Sequence, residues 1–131
     1  MKKLTLLFLS AFLFSCSDDP LVDTPTGDYR QNWVGSYYGT RRDVQTQQGQ
    51  SPQVTFDGLT TFTVTLVSDS FISINGGTAF PIGTNGTYAQ TSGGGGYYEA
   101  RFYASDSLST TNNSGGLAGG TTSNFRGKKV S

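Results

Sequence analysis

The stretch Leu59-Thr60-Thr61-Phe62-Thr63-Val64-Thr65-Leu66-Val67 alternates apolar and hydroxyl side chains, placing Phe62, Val64 and Leu66 on one face and Thr61, Thr63 and Thr65 on the other. A period of two belongs to a strand with one buried face. Beyond Ser68-Asp69-Ser70, Phe71 to Asn75 repeats the pattern with Ile72 and Ile74. So short a link implies two antiparallel neighbours. Asn75-Gly76, Asn85-Gly86 and Asp57-Gly58 are dipeptides that accept positive φ and mark hairpin turns. Between the two Asn-Gly signals, Thr78 to Ile82 reads as a short strand, and Pro81, which has no amide to donate, puts it at an edge or bulge.

Downstream, Gly93 to Gly96 breaks the chain ahead of Tyr97 to Ala104, where Tyr98, Ala100 and Phe102 alternate with Glu99, Arg101 and Tyr103. Ser105 to Thr111 and Asn124 to Val130 read as closing strands, separated by the glycine-rich run Gly115 to Gly120. Upstream, Trp33 to Thr40 reads as the opening strand, with Gly35 and Gly39 permitting close packing or a bulge. The expectation is an all-β fold: a single antiparallel meander of about seven or eight strands, closed as a small barrel or folded as a two-layer sandwich. The residues leave both closures open.

Composition agrees with a single domain of that kind. The chain has 131 residues, of which 18 are Gly, and all seven Tyr and the one Trp lie beyond residue 28. Those glycines, with many Ser, Thr and Asn, suit tight turns better than packed helices. There is no His and one Cys, which excludes imidazole-based metal sites and an internal disulfide and removes the usual general base near neutral pH. No catalytic residue, cofactor or metal is therefore assigned.

The first residues carry an address. Met1-Lys2-Lys3 is followed by an apolar run of eleven residues, Leu4 to Phe14, interrupted by Thr5 and Ser10. This is the layout of a secretion signal. As a helix it would rise only about 16 Å, whereas a permanent span needs about 20 residues. Leu13-Phe14-Ser15-Cys16 resembles the bacterial lipobox, with Leu and a small Ser where that family has them, although Phe14 between them departs from the commonest pattern. The resemblance implies removal of 1–15, acylation of Cys16, and retention of the protein on a membrane by two or three chains. Without Lys2 and Lys3 the remaining chain has seven basic against nine acidic residues, a net charge of −2. Such a balance gives no footprint for nucleic acid.

Ser17-Asp18-Asp19 resembles the short acidic signal that directs lipoproteins of Bacteroidetes to the outer face of the outer membrane; a solvated acidic linker is the plainer alternative. Residues 16–28, with Pro20 and Pro25, read as a lipidated tether, and 29–131 as the β domain. Trp33-Val34-Gly35-Ser36-Tyr37 resembles the opening of small lipocalin-like β lipoproteins of the same group, and Ile72-Ser73-Ile74-Asn75-Gly76 and Phe125-Arg126-Gly127-Lys128-Lys129 fit that layout. Most such proteins have no assigned activity, so the resemblance implies a fold and transfers no functional residue. Asp106-Ser107-Leu108 resembles the O-glycosylation motif of exported Bacteroidetes proteins and makes Ser107 a candidate modification site.

Few residues could carry chemistry. Glu99 is the one Glu, and a hydrolase with two carboxylates would need it beside Asp57, Asp69 or Asp106. Lying two residues from Arg101, Glu99 reads more simply as half of an exposed charge pair. The tyrosines are the better lead. Tyr37 and Tyr38 are adjacent, as are Tyr97 and Tyr98, with Tyr103 nearby, and adjacent strand residues face opposite ways. Rings that point away from the core are suited to contact a glycan or protein partner, or in a barrel to line a cavity; core packing with ordinary cross-strand pairs is the plainer reading. The functional expectation is an outer-membrane lipoprotein whose β domain is a noncatalytic binding or structural module. A lipocalin-like carrier of a small apolar ligand and a glycan-processing enzyme are the rivals.

Overall fold

Wherever apolar and polar side chains alternate, the backbone is extended, and strand continues well past the stretches that alternate most clearly. The structure, a computed structural model, describes residues 28–131. The expected signal, Cys16, Ser17-Asp18-Asp19 and the tether up to residue 27 lie outside the described residues. After a short 3-10 helix, Tyr29–Asn32, come β1 (Gly35–Gln47), β2 (Gln53–Ser68), β3 (Phe71–Ile74), β4 (Phe80–Pro81), β5 (Thr87–Thr91), β6 (Tyr97–Tyr103), β7 (Ser107–Gly116) and β8 (Gly119–Lys129). All are antiparallel in one sheet, ordered β4-β3-β2-β1-β8-β7-β6-β5, and the sheet curls into a nearly closed barrel. The first and last strands thus pair in mid-sheet, and β4 and β5 are its two free ends.

Several boundaries differ from the sequence reading, and β4 is only Phe80–Pro81 within the expected Thr78 to Ile82. Asp57-Gly58 is no turn: it lies inside β2, paired with Arg42 and Arg41 of β1. The ladders of β1 on both sides hold these polar residues extended. Gly115 to Gly120 is mostly strand, with Gly116 opposite Gly119 across a turn at Leu117 and Ala118. Trp33 does not open β1 but caps the 3-10 helix, its amide donating to the Arg30 carbonyl. Thr87–Thr91, to which the sequence reading gives no strand, is β5. Asn75-Gly76 does behave as expected. Both residues have positive φ, 53° and 67°, and the Gly77 amide closes the turn onto the Ile74 carbonyl at 3.0 Å.

Phe62, Val64 and Ile72 face inward with Tyr37, Ala100, Phe102, Leu108 and Phe125, and all are buried. The lower end of the barrel is plugged by rings: Trp33 stacks on Phe102 with centroids 5.2 Å apart, Tyr37 meets Phe102 edge-on, and Tyr29 meets Trp33 edge-on. Tyr37 donates its hydroxyl to the Trp33 carbonyl at 2.9 Å, so this fully buried residue leaves no polar atom unpaired. Higher up, Phe62 and Phe125 reach towards each other over Gly39, which is paired with Gly127. A side chain at Gly39 would collide with the Arg126 carbonyl, and one at Gly127 with the Phe125 ring. The two glycines are what lets β1 and β8 approach beneath that stack.

The barrel wall is incomplete. β3 pairs with β2 over Val64–Ser68, and the Asn75 amide extends this by one bond to the Thr63 carbonyl. Among the described residues, Gln53 to Phe62 has no strand on that side. The upper half of the molecule is therefore a curved sheet open along the line between β4 and β5.

Candidate functional site at the barrel seam

In an antiparallel sheet, residues directly opposite each other share a face, so the inner lining can be followed strand by strand. Tyr88 of β5 lies opposite Ala100, then Thr110, Phe125, Arg41 and Gly58. One step higher runs Gln90, Tyr98, Asn112, Ser123, Asp43 and Phe56. The lining thus passes from apolar at the bottom to polar at the top. Arg41 and Asp43 form a two-pronged ion pair on this lining, at 2.9 and 2.5 Å, with the guanidinium over the Phe56 ring. That pairing, with a further bond from Ser123, holds the Asp43 carboxyl below its ordinary range against the opposing effect of burial.

Where β4 and β5 fail to pair, side chains bridge the gap. Phe80 of β4 stacks on Tyr88 of β5, centroids 4.5 Å apart and planes 19° from parallel, and meets Tyr98 of β6 at 5.5 Å and 63°. Ala100, opposite Tyr88, is small enough to leave these rings room. Above the three rings opens a cleft of about 530 Å³, bounded by Gln90, Asn112, Thr78 and the Gly77–Ala79 loop. The Tyr88 hydroxyl donates to the Gln90 carboxamide oxygen at 2.7 Å. This orients the amide and leaves its two N–H donors for other partners. Burial among the rings, with Tyr88 adding to it, pushes the Tyr98 hydroxyl up to about 12, so it stays a neutral donor through the physiological range.

No family model and no curated protein matches this chain. Of the tyrosines singled out in the sequence, Tyr98 alone lines the seam cleft. Tyr37 is a correction: it faces the core, out of reach of any partner. Tyr38 and Tyr103 point outward, 47% and 52% exposed. They lie in one cross-strand row with Lys128 and Ser107, and with Leu59 and Arg126 they flank a shallow depression on the outer sheet face. Tyr97 is also on the outer face, half-buried, its hydroxyl raised by burial and by bonding to Glu99.

Glu99 pairs with Arg101 on the outside of β6, as the spacing suggested. Its outer row continues through Thr111, Asn124 and Arg42 to Asp57. Four strand steps at about 4.8 Å separate the two carboxylates by roughly 19 Å, whereas glycoside hydrolysis uses separations of about 5–9.5 Å. Asp106 lies in the β6–β7 turn, five residues before Thr111, the partner of Glu99, and so roughly 17 Å along the strand direction, and is held by Lys128 at 2.9 Å. Asp69 sits in the β2–β3 turn. The fold brings none of these three together with Glu99. Ser107 opens β7, half-buried, donating to the Asp106 carboxylate at 2.7 Å.

Gln90 and Asn112 were missed by sequence reasoning. A carboxamide in a strand looks the same in the sequence whether it faces solvent or a cleft. The usable signal was local: Tyr88 sits between two Thr, which is strand-like, and Gln90 is two residues on and so on the same face.

Proposed function

We propose that this chain is a lipid-anchored protein of the bacterial outer membrane, displayed on its outer face, whose barrel is a noncatalytic binding module with its ligand seated in the β4–β5 seam. The observation that carries the binding half is the cleft itself: a gap in an otherwise continuous sheet, walled by three rings and topped by two carboxamides. Concave sites combining apolar walls with a few oriented polar groups are the general form of small-ligand sites. The anchoring half is supported by Leu13-Phe14-Ser15-Cys16 and by the acidic Ser17-Asp18-Asp19.

Two measurements test the two halves. Mass spectrometry of the protein from membranes should find diacylglyceryl on Cys16, and Cys16→Ser should release the chain from the membrane fraction. An unmodified thiol on a freely dissolved chain sinks the anchor. For the cleft, ligand-induced thermal stabilisation across a small-molecule library should disappear in Tyr98→Ala and persist in Tyr103→Ala. Equal loss in both, or stabilisation by nothing, sinks the binding role.

A carrier of a small apolar ligand is the second reading, favoured by the rings of Phe80, Tyr88 and Tyr98. It is the weaker one, because such a ligand would cover Gln90 and Asn112 without pairing them, and stranding polar groups disfavours binding.

A further inference from the structure

Resting on the seam as a binding site, we infer that its ligand is an uncharged sugar residue of a glycan. The chemistry of the lining selects for it. Among the described residues, no carboxylate, ammonium or guanidinium lines the cleft. The Arg41–Asp43 and Arg101–Glu99 pairs on the same and opposite sheet faces each neutralise themselves. A charged ligand entering the cleft would give up its hydration and find no counter-charge.

What the cleft offers instead is both halves of a sugar's requirements. A pyranose presents an apolar C–H face and a rim of hydroxyls, each able to donate and accept. Tyr88 and Tyr98, both half-buried and packed against the buried Phe80, supply apolar surface at the base. Gln90, Asn112 and Thr78 stand around it, and a carboxamide matches adjacent hydroxyls because it too donates and accepts. Gln90 enters this role already oriented, since Tyr88 holds its oxygen. Fixing the amide beforehand removes part of the ordering cost of binding. At about 530 Å³ the cleft is within the usual range for small ligands, roughly 300–1,000 Å³. Its open side lets the rest of a chain run out to solvent.

The test uses the full chain, purified in a detergent without a sugar headgroup, on three probe sets: neutral oligosaccharides, uronic-acid oligosaccharides, and a fluorescent fatty-acid analogue. Saturation-transfer NMR and titration should show binding of a neutral oligosaccharide, weakened about tenfold or more in Gln90→Ala and in Asn112→Ala. Both substitutions are at exposed positions, and unchanged melting temperature would confirm that the fold survives. Glu99→Gln, on the outer face, should bind as the unaltered chain does. Cleft-dependent binding of the acidic sugars alone, or of the fatty-acid analogue alone, overturns the sugar assignment and leaves the seam as a site. Neutral-sugar binding that survives both carboxamide substitutions overturns it too. If no probe of any set binds in a way that Tyr98→Ala abolishes, the seam itself fails as a binding site.

Discussion

Phe62 of β2 and Phe125 of β8 stack face to face across β1, their centroids 3.9 Å apart and their planes 2° from parallel. The strand between them contributes no side chain at that level, because its residue there is Gly39. Two strands that never pair with each other are thereby joined through the core, in addition to their ladders with β1. Removing one ring leaves a cavity under the other: Phe125→Ala should destabilise the domain by about 3–5 kcal/mol, read as a lower denaturation midpoint with an unchanged slope.

The glycines beneath the stack should be as sensitive as the rings. Gly39→Ala forces a methyl into the Arg126 carbonyl, a backbone atom that cannot yield without breaking the β1–β8 ladder. Gly127→Ala meets the Phe125 ring, which can tilt at the expense of the stack. Both should destabilise, by at least about 2 kcal/mol for Gly39→Ala and by about 1–3 kcal/mol for Gly127→Ala. Urea unfolding of the two variants checks the order, and an unaffected Gly39→Ala would mean that the strands are not so closely apposed.

At high pH the buried tyrosines decide stability. Burial raises Tyr37 and Tyr98 from an ordinary 10.0 to about 12. Above pH 10 the unfolded chain releases these protons before the folded chain does, so the stability present below 10 is lost as pH rises towards about 12. Tyrosinate absorbance followed beside circular dichroism should show both titrating with unfolding. Tyr98→Phe should flatten the alkaline slope, and a slope that stays the same would exclude Tyr98 as a contributor.

At low pH the sign reverses. The bonds from Arg41 hold Asp43 below its ordinary 3.8, so its contribution is complete above that value and falls away as pH drops through the lower, folded-state pKa. Asp43 is 8% exposed, and losing its charge leaves the guanidinium on the inner face without its partner. Asp43→Asn should cost about 1–3 kcal/mol at neutral pH and reduce the acid slope of urea midpoints. An acid slope identical to that of the unaltered chain would show that Asp43 is not its source.

The lower half of the barrel was legible in the sequence, and the upper half was not, for one reason. Alternation is visible only where one face of a strand is buried in apolar company. Phe62, Val64 and Leu66, or Ala100 and Phe102, announce their strands because their inner neighbours are apolar. Higher up the inner face is polar, so Arg41, Asp43 and Gln45 give β1 no apolar inner row, and it looks finished at Thr40 although it runs to Gln47. The same polarity hid β5, and let Asp57-Gly58 pass for a turn. Barrel and sandwich differ by how the first and last strands meet, a contact between residues 72 to 92 positions apart that no local pattern encodes. The seam is invisible in the sequence for the same reason: it lies where β4 ends after two residues, and of its three rings only Tyr98 has an aromatic neighbour in the chain, Tyr97.

The position of β1 has a mechanical consequence. It is fourth of eight around the circumference, with the gap diametrically across from it. A load applied through the segment before Gly35 enters β1 lengthwise and is shared in shear by long ladders on both sides, with the Val130 and Ser36 amides closing the end of the β8 ladder. Any pull on that segment would reach the sheet at a strand held along both edges, on the side away from the slit.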